Sequence, residues 1–197
     1  MRTINTQDIV PVIEKLCQQA CYELNDNVMN AFQEALTKEE SPIGKDCLSI
    51  IIKNSKFAKE HQLPCCHDTG ATVVLMEIGQ EVCWSGIALE KQVNEGVRLG
   101  YTNGYLRKSV VSDPLNRVNT NDNTPAMLHT EIVPGDKVKI TVMPKGGGSE
   151  NMGAFKVLLP GDGVAGVKKI LLKIVQKVGG QSLPPLYYRY RNRWHHG

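Results

Sequence analysis

The chain has 197 residues, 41% of them hydrophobic, which is enough to close a core of ordinary domain size. Its net charge of +3 sits at the end: Arg189, Arg191 and Arg193 carry the surplus, and residues 1–182 hold equal numbers of basic and acidic side chains, so the body offers no general surface for nucleic acid. No apolar run approaches the roughly 18 residues of a membrane span, and the opening MRTINTQDIV lacks a signal-peptide core; a cytoplasmic protein is expected.

In chain order, residues 6–62 predict three helices. Ile9, Val12, Ile13, Leu16 and Ala20 recur at helical spacing, Val28, Phe32 and Leu36 repeat the pattern, and Ser41-Pro42 supplies an N-cap followed by proline at the first helical position. Cys17, Cys21 and Cys47 fall inside these helices, where packing is their expected role. The six cysteines have neither zinc-ribbon spacing nor the density of a disulfide scaffold, so reduced thiols are expected.

Pro64 ends the helical pattern, and Gly70 leads into the β-rich run 71–76. Between them lies Pro64-Cys65-Cys66-His67-Asp68-Thr69-Gly70, a helix-to-strand loop that sets a thiol beside two ionisable side chains. Three readings fit these residues. Cys66 is a metal ligand supported by its neighbours, or a thiolate that they activate, or one of a buried cysteine pair at a turn.

Residues 88–100 predict a further helix, and the polar stretch 101–123 predicts a long loop of the kind that carries function or is disordered. Strands near 127–133 and 137–142, with Pro134-Gly135-Asp136 between them, predict a hairpin. Lys145-Gly146-Gly147-Gly148 follows, either an anion cradle of backbone N–H groups with a lysine beside it or a flexible turn; it lacks the order of a Walker A loop. A strand over 154–159 and an amphipathic helix over 163–178 complete the pattern. The expected fold class is α+β: N-terminal helices followed by a mixed α/β domain with antiparallel strands.

Three blocks stand in order: PCCHDTG, GYLRKSVVSDPLNRVNTNDNTPAMLHTEIVPGD and MPKGGGSENMGAFKVLLPGDG. Together they resemble the alpha subunit, or N-terminal half, of the class I iron-sulfur fumarate hydratases, whose relatives are the L-tartrate dehydratases. The resemblance runs from the first helix to about Ser182 and implies one domain over 1–182. It implies a hydro-lyase interconverting fumarate and malate on a 4Fe-4S cluster held by three cysteines, in which the iron without a protein ligand binds substrate as a Lewis acid.

On this resemblance Cys66 matches the first cluster cysteine and Asp68 a residue that surrounds the bound dicarboxylate. His67 stands where the family usually has glutamine, which adds a group able to titrate near neutrality. Arg107 matches an arginine that clamps a substrate carboxylate through its planar fork; by themselves Arg107 and Arg117 read as solvated loop charges. Gly146, Gly147 and Gly148 match the wall whose N–H groups meet the other carboxylate. Ser149-Glu150-Asn151 resembles fumarase more than tartrate dehydratase. The resemblance also implies a beta subunit, which would carry the general base.

After Ser182 the pattern departs. The family continues with Cys-Pro-Pro and a glycine-alternating strand, whereas this chain reads SLPPLYYRYRNRWHHG. Back-translated with permitted codons and read one nucleotide later, the tail yields Ile-Ile-Gly-Ile-Gly-Ile-Gly-Gly-Thr, and a CTG codon for Leu183 followed by CCC contains TGC for cysteine. The expectation is a frameshift at about Ser182 to Leu183, with 183–197 an out-of-frame or disordered tail rather than a nucleic-acid-binding one. The second and third cluster cysteines would then be absent, and the fragment inactive by itself. Rival readings are an L-tartrate dehydratase alpha subunit and a noncatalytic dicarboxylate- or nucleic-acid-binding remnant.

Overall fold

The structure is a computed structural model that describes residues 1–178. The expected frameshift point and the tail 183–197 lie outside the described residues. By its contacts the chain divides into two compact units, Met1–Gly146 and Gly147–Gly197.

In the first unit a short strand β1 (Arg2–Asn5) precedes helices α1 (Ile9–Tyr22), α2 (Asp26–Lys38) and α3 (Pro42–His61). The predicted cap of α3 is present: Ser41 Oγ accepts the Gly44 N–H at 3.3 Å and Pro42 opens the helix. The helix ends on Gln62 in the left-handed region, two residues before Pro64. Strands β2 (Ala71–Gly79) and β3 (Val82–Ser85) follow, then α4 (Leu89–Asn103), β4 (Met127–Val133) and β5 (Val138–Lys145). β1 pairs with β3 in parallel.

The predicted hairpin does not form. β2 lies between β4 and β5, parallel to the first and antiparallel to the second. Residues 133–137, expected as a tight turn, instead wrap the end of β2: the N–H groups of Gly79, Gln80 and Glu81 donate to the carbonyls of Lys137, Val133 and Gly135. The reason is burial. β2 carries Thr72, Val74, Met76 and Ile78 on one face, all buried, and is the strand with the apolar content to sit at the centre.

That face packs against α1 and α4. Ile9, Ile13, Cys17 and Cys21 from α1 meet Val93, Val97 and Tyr101 from α4 and Val74, Met76 and Ile78 from β2. Each such aliphatic side chain, fully buried, contributes about 1.5–3 kcal/mol. The two helices approach closely because α4 presents glycines: a Cβ on Gly96 would stand 2.8 Å from that of Ile13, and one on Gly100 2.8 Å from that of Cys17.

The second unit contains a helical turn α5 (Gly147–Glu150) and the helix α6 (Gly163–Val178), which matches the predicted amphipathic helix. Residues 154–159, expected as a strand, adopt no regular structure, and Phe155, Val157 and Leu159 are exposed. A strand requires a partner ladder, and apolar content alone does not supply one. The α+β class holds.

Candidate active site

The loop after α3 is anchored at Cys65 through both of its backbone polar groups. The Cys65 N–H donates to the Cys21 carbonyl at the end of α1 (2.9 Å), and Asn54 of α3 donates its side-chain amide to the Cys65 carbonyl (2.8 Å). Cys66 and His67 then project into solvent, while Thr69 and Gly70 turn inward and are buried. The loop therefore divides into an outward, exposed half and an inward, buried half.

The inward half meets the segment that follows α4. Thr69 Oγ1 donates to the Arg107 carbonyl at 2.8 Å. The buried Tyr101 hydroxyl donates to the Thr69 carbonyl at 2.7 Å, and burial raises its pKa above the ordinary tyrosine value. Asn123, fully buried, accepts from the N–H groups of Ser109 (2.7 Å) and Val110 (3.2 Å) and donates to the Gly70 carbonyl (3.0 Å). Arg107 itself is exposed.

Gly70 is required by its conformation and by its neighbours. Its φ is +60°, and a Cβ there would stand 2.6 Å from the Gly146 nitrogen and closer still to the Lys145 carbonyl. Gly146 in turn leaves room for Asp68: a Cβ on it would lie 3.0 Å from Asp68 Oδ2. Asp68 Oδ1 accepts the Gly70 N–H at 3.2 Å.

The first unit thus brings together the PCCHDTG loop with Cys66, His67 and Asp68, the backbone of Arg107, and Gly146. Gly147 and Gly148 belong to the second unit, where they open the α5 turn with open space around each Cα. Arg117 lies on the exposed excursion 111–120, at φ +53°. Thr69, Tyr101 and Asn123, which tie the site together, have only a weak signal in sequence. Asn123 falls in the Asn/Asp/Thr run 119–124, a composition rich in side chains that bond to backbone.

The cysteines separate by environment. Cys17 and Cys21 are buried, and desolvation pushes each thiol from 9.0 up to about 12, with the neighbouring thiols adding to the rise. The packing role expected for these two holds, but Cys47, expected to pack, is exposed on α3. Cys65 is half-buried and its pKa is raised, chiefly by desolvation and then by Cys66. Cys66 is exposed. Among the described residues no three His, Cys, Asp or Glu side chains converge to hold a metal ion. An apolar groove of about 310 Å³ between α2 and α3 reaches Cys65, but its lining of Leu24, Val28, Phe32, Ile50 and Ile51 suits packing and not chemistry.

Sequence comparison supplies the family. A sequence model described as fumarate hydratase (Fumerase) matches residues 10–188. The chain belongs to the fumarate hydratase family. Over 184 residues it is 37% identical to "Putative L(+)-tartrate dehydratase subunit alpha" of Methanocaldococcus jannaschii, covering 90% of this chain and 64% of that protein. It is 32% identical to "Fumarate hydratase class I, aerobic" of Escherichia coli K12 (89% of this chain, 33% of that protein) and 28% identical to "L(+)-tartrate dehydratase subunit alpha" of Escherichia coli UTI89 (82% and 54%). The chain therefore spans between a third and about two thirds of the length of these members of the family. Among the described residues no helix is long and apolar enough to cross a membrane.

Proposed function

We propose that the chain forms the alpha-type part of a hydro-lyase acting on a small dicarboxylate in the cytoplasm, with the PCCHDTG loop, Arg107 and Gly146 as its share of the site. The observation that carries this reading is the Thr69–Arg107 hydrogen bond, which joins the loop bearing Cys66 and Asp68 to the segment bearing Arg107. Without that tie the two would be separate surface features.

The roles follow from the chemistry of the groups. Arg107 keeps its charge at every working pH and offers a planar fork to one carboxylate of the substrate. The backbone at Gly146 would lie against the other carboxylate, and the small residue there lets a ligand approach the backbone closely. Asp68, beside Gly146, bounds the space between them, and His67 supplies a group able to hydrogen-bond the substrate. Hydration of a carbon–carbon double bond also needs a proton donor and acceptor. Those groups belong, in this reading, to a second chain of the beta type, consistent with the "subunit alpha" names of two relatives.

The resemblance to the class I enzymes implies a 4Fe-4S cluster. Of the three exposed thiols among the described residues only Cys66 lies on the PCCHDTG loop, and no set of ligands converges, so by themselves they do not fit a cluster. Cys66 is proposed as one ligand, with further thiolates required from outside these 197 residues, whose cysteines all lie at or before Cys83.

Fumarate is the proposed substrate, on the Ser149-Glu150-Asn151 continuation. Tartrate is the second reading, favoured by the 37% identity to a protein named for it. The test is a nuclear magnetic resonance titration of the 197-residue chain with fumarate, L-tartrate and the monocarboxylate crotonate. Saturable shifts at the amides of 66–70, 107–110 and 146, lost in Arg107→Lys and Asp68→Asn and absent with crotonate, are expected. Equal responses to all three acids, or responses confined to other surfaces, would overturn the reading.

A further inference from the structure

We propose that Asn123 is a positioning residue of the dicarboxylate site, holding the Asp68 loop and the Arg107 segment at a fixed separation from beneath; this rests on the reading of the site given above. Asn123 touches none of the groups assigned to substrate. It touches the backbone on either side of them. Its Oδ1 takes the N–H groups two and three residues after Arg107, and its Nδ2 reaches the carbonyl two residues after Asp68. The backbone partners fix which end of the amide is which, because N–H groups require the oxygen and a carbonyl requires the nitrogen.

The side chain is 0% exposed, so these bonds meet no competition from water. Leucine would fill a similar volume but take the side-chain acceptor from two N–H groups and leave the Gly70 carbonyl only the longer bond from the Tyr101 hydroxyl (3.4 Å). Aspartate would keep the acceptor and set a carboxylate oxygen against the Gly70 carbonyl. Glutamine is one methylene too long for a closed space. The backbone φ of +63° also selects asparagine among non-glycine residues.

Asn123 is itself held on both sides. Asp122 Oδ1 accepts from the Thr124 N–H (2.9 Å) and hydroxyl (2.8 Å), and the Ala126 N–H donates to Asn94 of α4 (2.8 Å). The segment that carries Asn123 is thus tied at Ala126 to the helix that also carries Tyr101, which bonds the Thr69 carbonyl of the same loop. Both functional segments are referenced to α4, and their side chains are left to point outward.

The experiment uses the full 197-residue chain as wild type, Asn123→Ala and Asn123→Asp, with amide hydrogen exchange at Ser109 and Val110 and fumarate affinity measured well below each Tm. In Asn123→Ala the two amides should exchange about tenfold faster or more, and the fumarate Kd of the folded chain should rise about tenfold. Asn123→Asp keeps the acceptor and should recover protection at Ser109 and Val110 while the Kd stays raised, through the lost donor to Gly70. A merely structural asparagine would lower Tm and leave the Kd of the folded chain unchanged, and that result overturns the inference. So does wild-type protection in Asn123→Ala. If Asn123→Ala does not fold, Asn123→Asp decides: an unchanged Kd overturns the inference. A wild-type chain with no saturable dicarboxylate response removes the reading of the site instead, whereas a responsive wild type with an unaffected Asn123→Ala removes this inference alone.

Discussion

Thr69 and Arg107, 38 positions apart, are joined by a 2.8 Å hydrogen bond from the threonine hydroxyl to the arginine carbonyl. The bond uses the backbone of Arg107 and leaves its guanidinium available. Thr69→Val keeps shape and removes the donor, so it should cost about 1–2 kcal/mol, read as a lower urea midpoint with an unchanged m-value. Thr69→Ser retains the hydroxyl and should fall within about 1 kcal/mol of wild type. Equal effects of the two would show that the hydroxyl contributes nothing.

Gly70 and Gly147 should respond unequally to the same substitution. Gly70→Ala places a methyl against the Lys145–Gly146 peptide at a positive φ, and a loss of about 2 kcal/mol or more in thermal or urea unfolding is expected. A Cβ on Gly147 meets nothing within 4 Å, so Gly147→Ala should lie within about 0.5 kcal/mol of wild type. A Gly70→Ala chain as stable as wild type would contradict the close approach.

Thiol labelling should sort the six cysteines by depth. Cys47, Cys66 and Cys83 are exposed and should react in a fast phase with a disulfide reagent, Cys65 in a slower one, and Cys17 and Cys21 only as the chain unfolds. Peptide mapping after brief labelling checks the assignment. Fast reaction at Cys17 or Cys21 would mean that the α1–α4 contact opens readily.

Alkaline pH should destabilise the fold through the same two residues. Their thiols have folded pKa values near 12 against an ordinary 9.0, so above pH 9 the unfolded chain loses protons that the folded chain retains. Fewer protons bound when unfolded means stability falls as pH rises, by up to about 1.4 kcal/mol per pH unit per thiol over that window. Denaturation midpoints from pH 8 to 11 should steepen downward, and Cys17→Ala with Cys21→Ala should flatten the limb, leaving the smaller contribution of Cys65 and, above pH 10, those of Tyr22 and Tyr101, all raised by burial. A limb unchanged in the double variant would assign it elsewhere.

The helices were legible because each carries its own evidence. Ile9, Ile13 and Cys17 form a stripe at helical spacing, and Ser41-Pro42 marks a start through a local hydrogen bond and a fixed φ. Strand order was not legible. β4 and β5 are neighbours in sequence and each reads as a strand, yet which strand pairs with which depends on where β2 finds its core, a long-range matter. The run 154–159 failed for the same reason, since apolar content permits a strand and only a partner makes one.

The residue types of the proposed site belong to the sequence alone: Cys66, His67 and Asp68 on a loop after a proline-terminated helix, Arg107 in a polar stretch, and Gly146, in an order that marks the fumarate hydratase family. Chemistry of that kind is written locally, in side chains and their neighbours. Their assembly is not. That Thr69 would reach Arg107, that Asn123 would lie between Gly70 and Ser109, and that Gly146 would clear room for Asp68 follow only once α1 and α4 close on one face of β2. Hydrogen bonds among such distant backbone groups form where burial excludes water, and burial is a property of the folded chain as a whole.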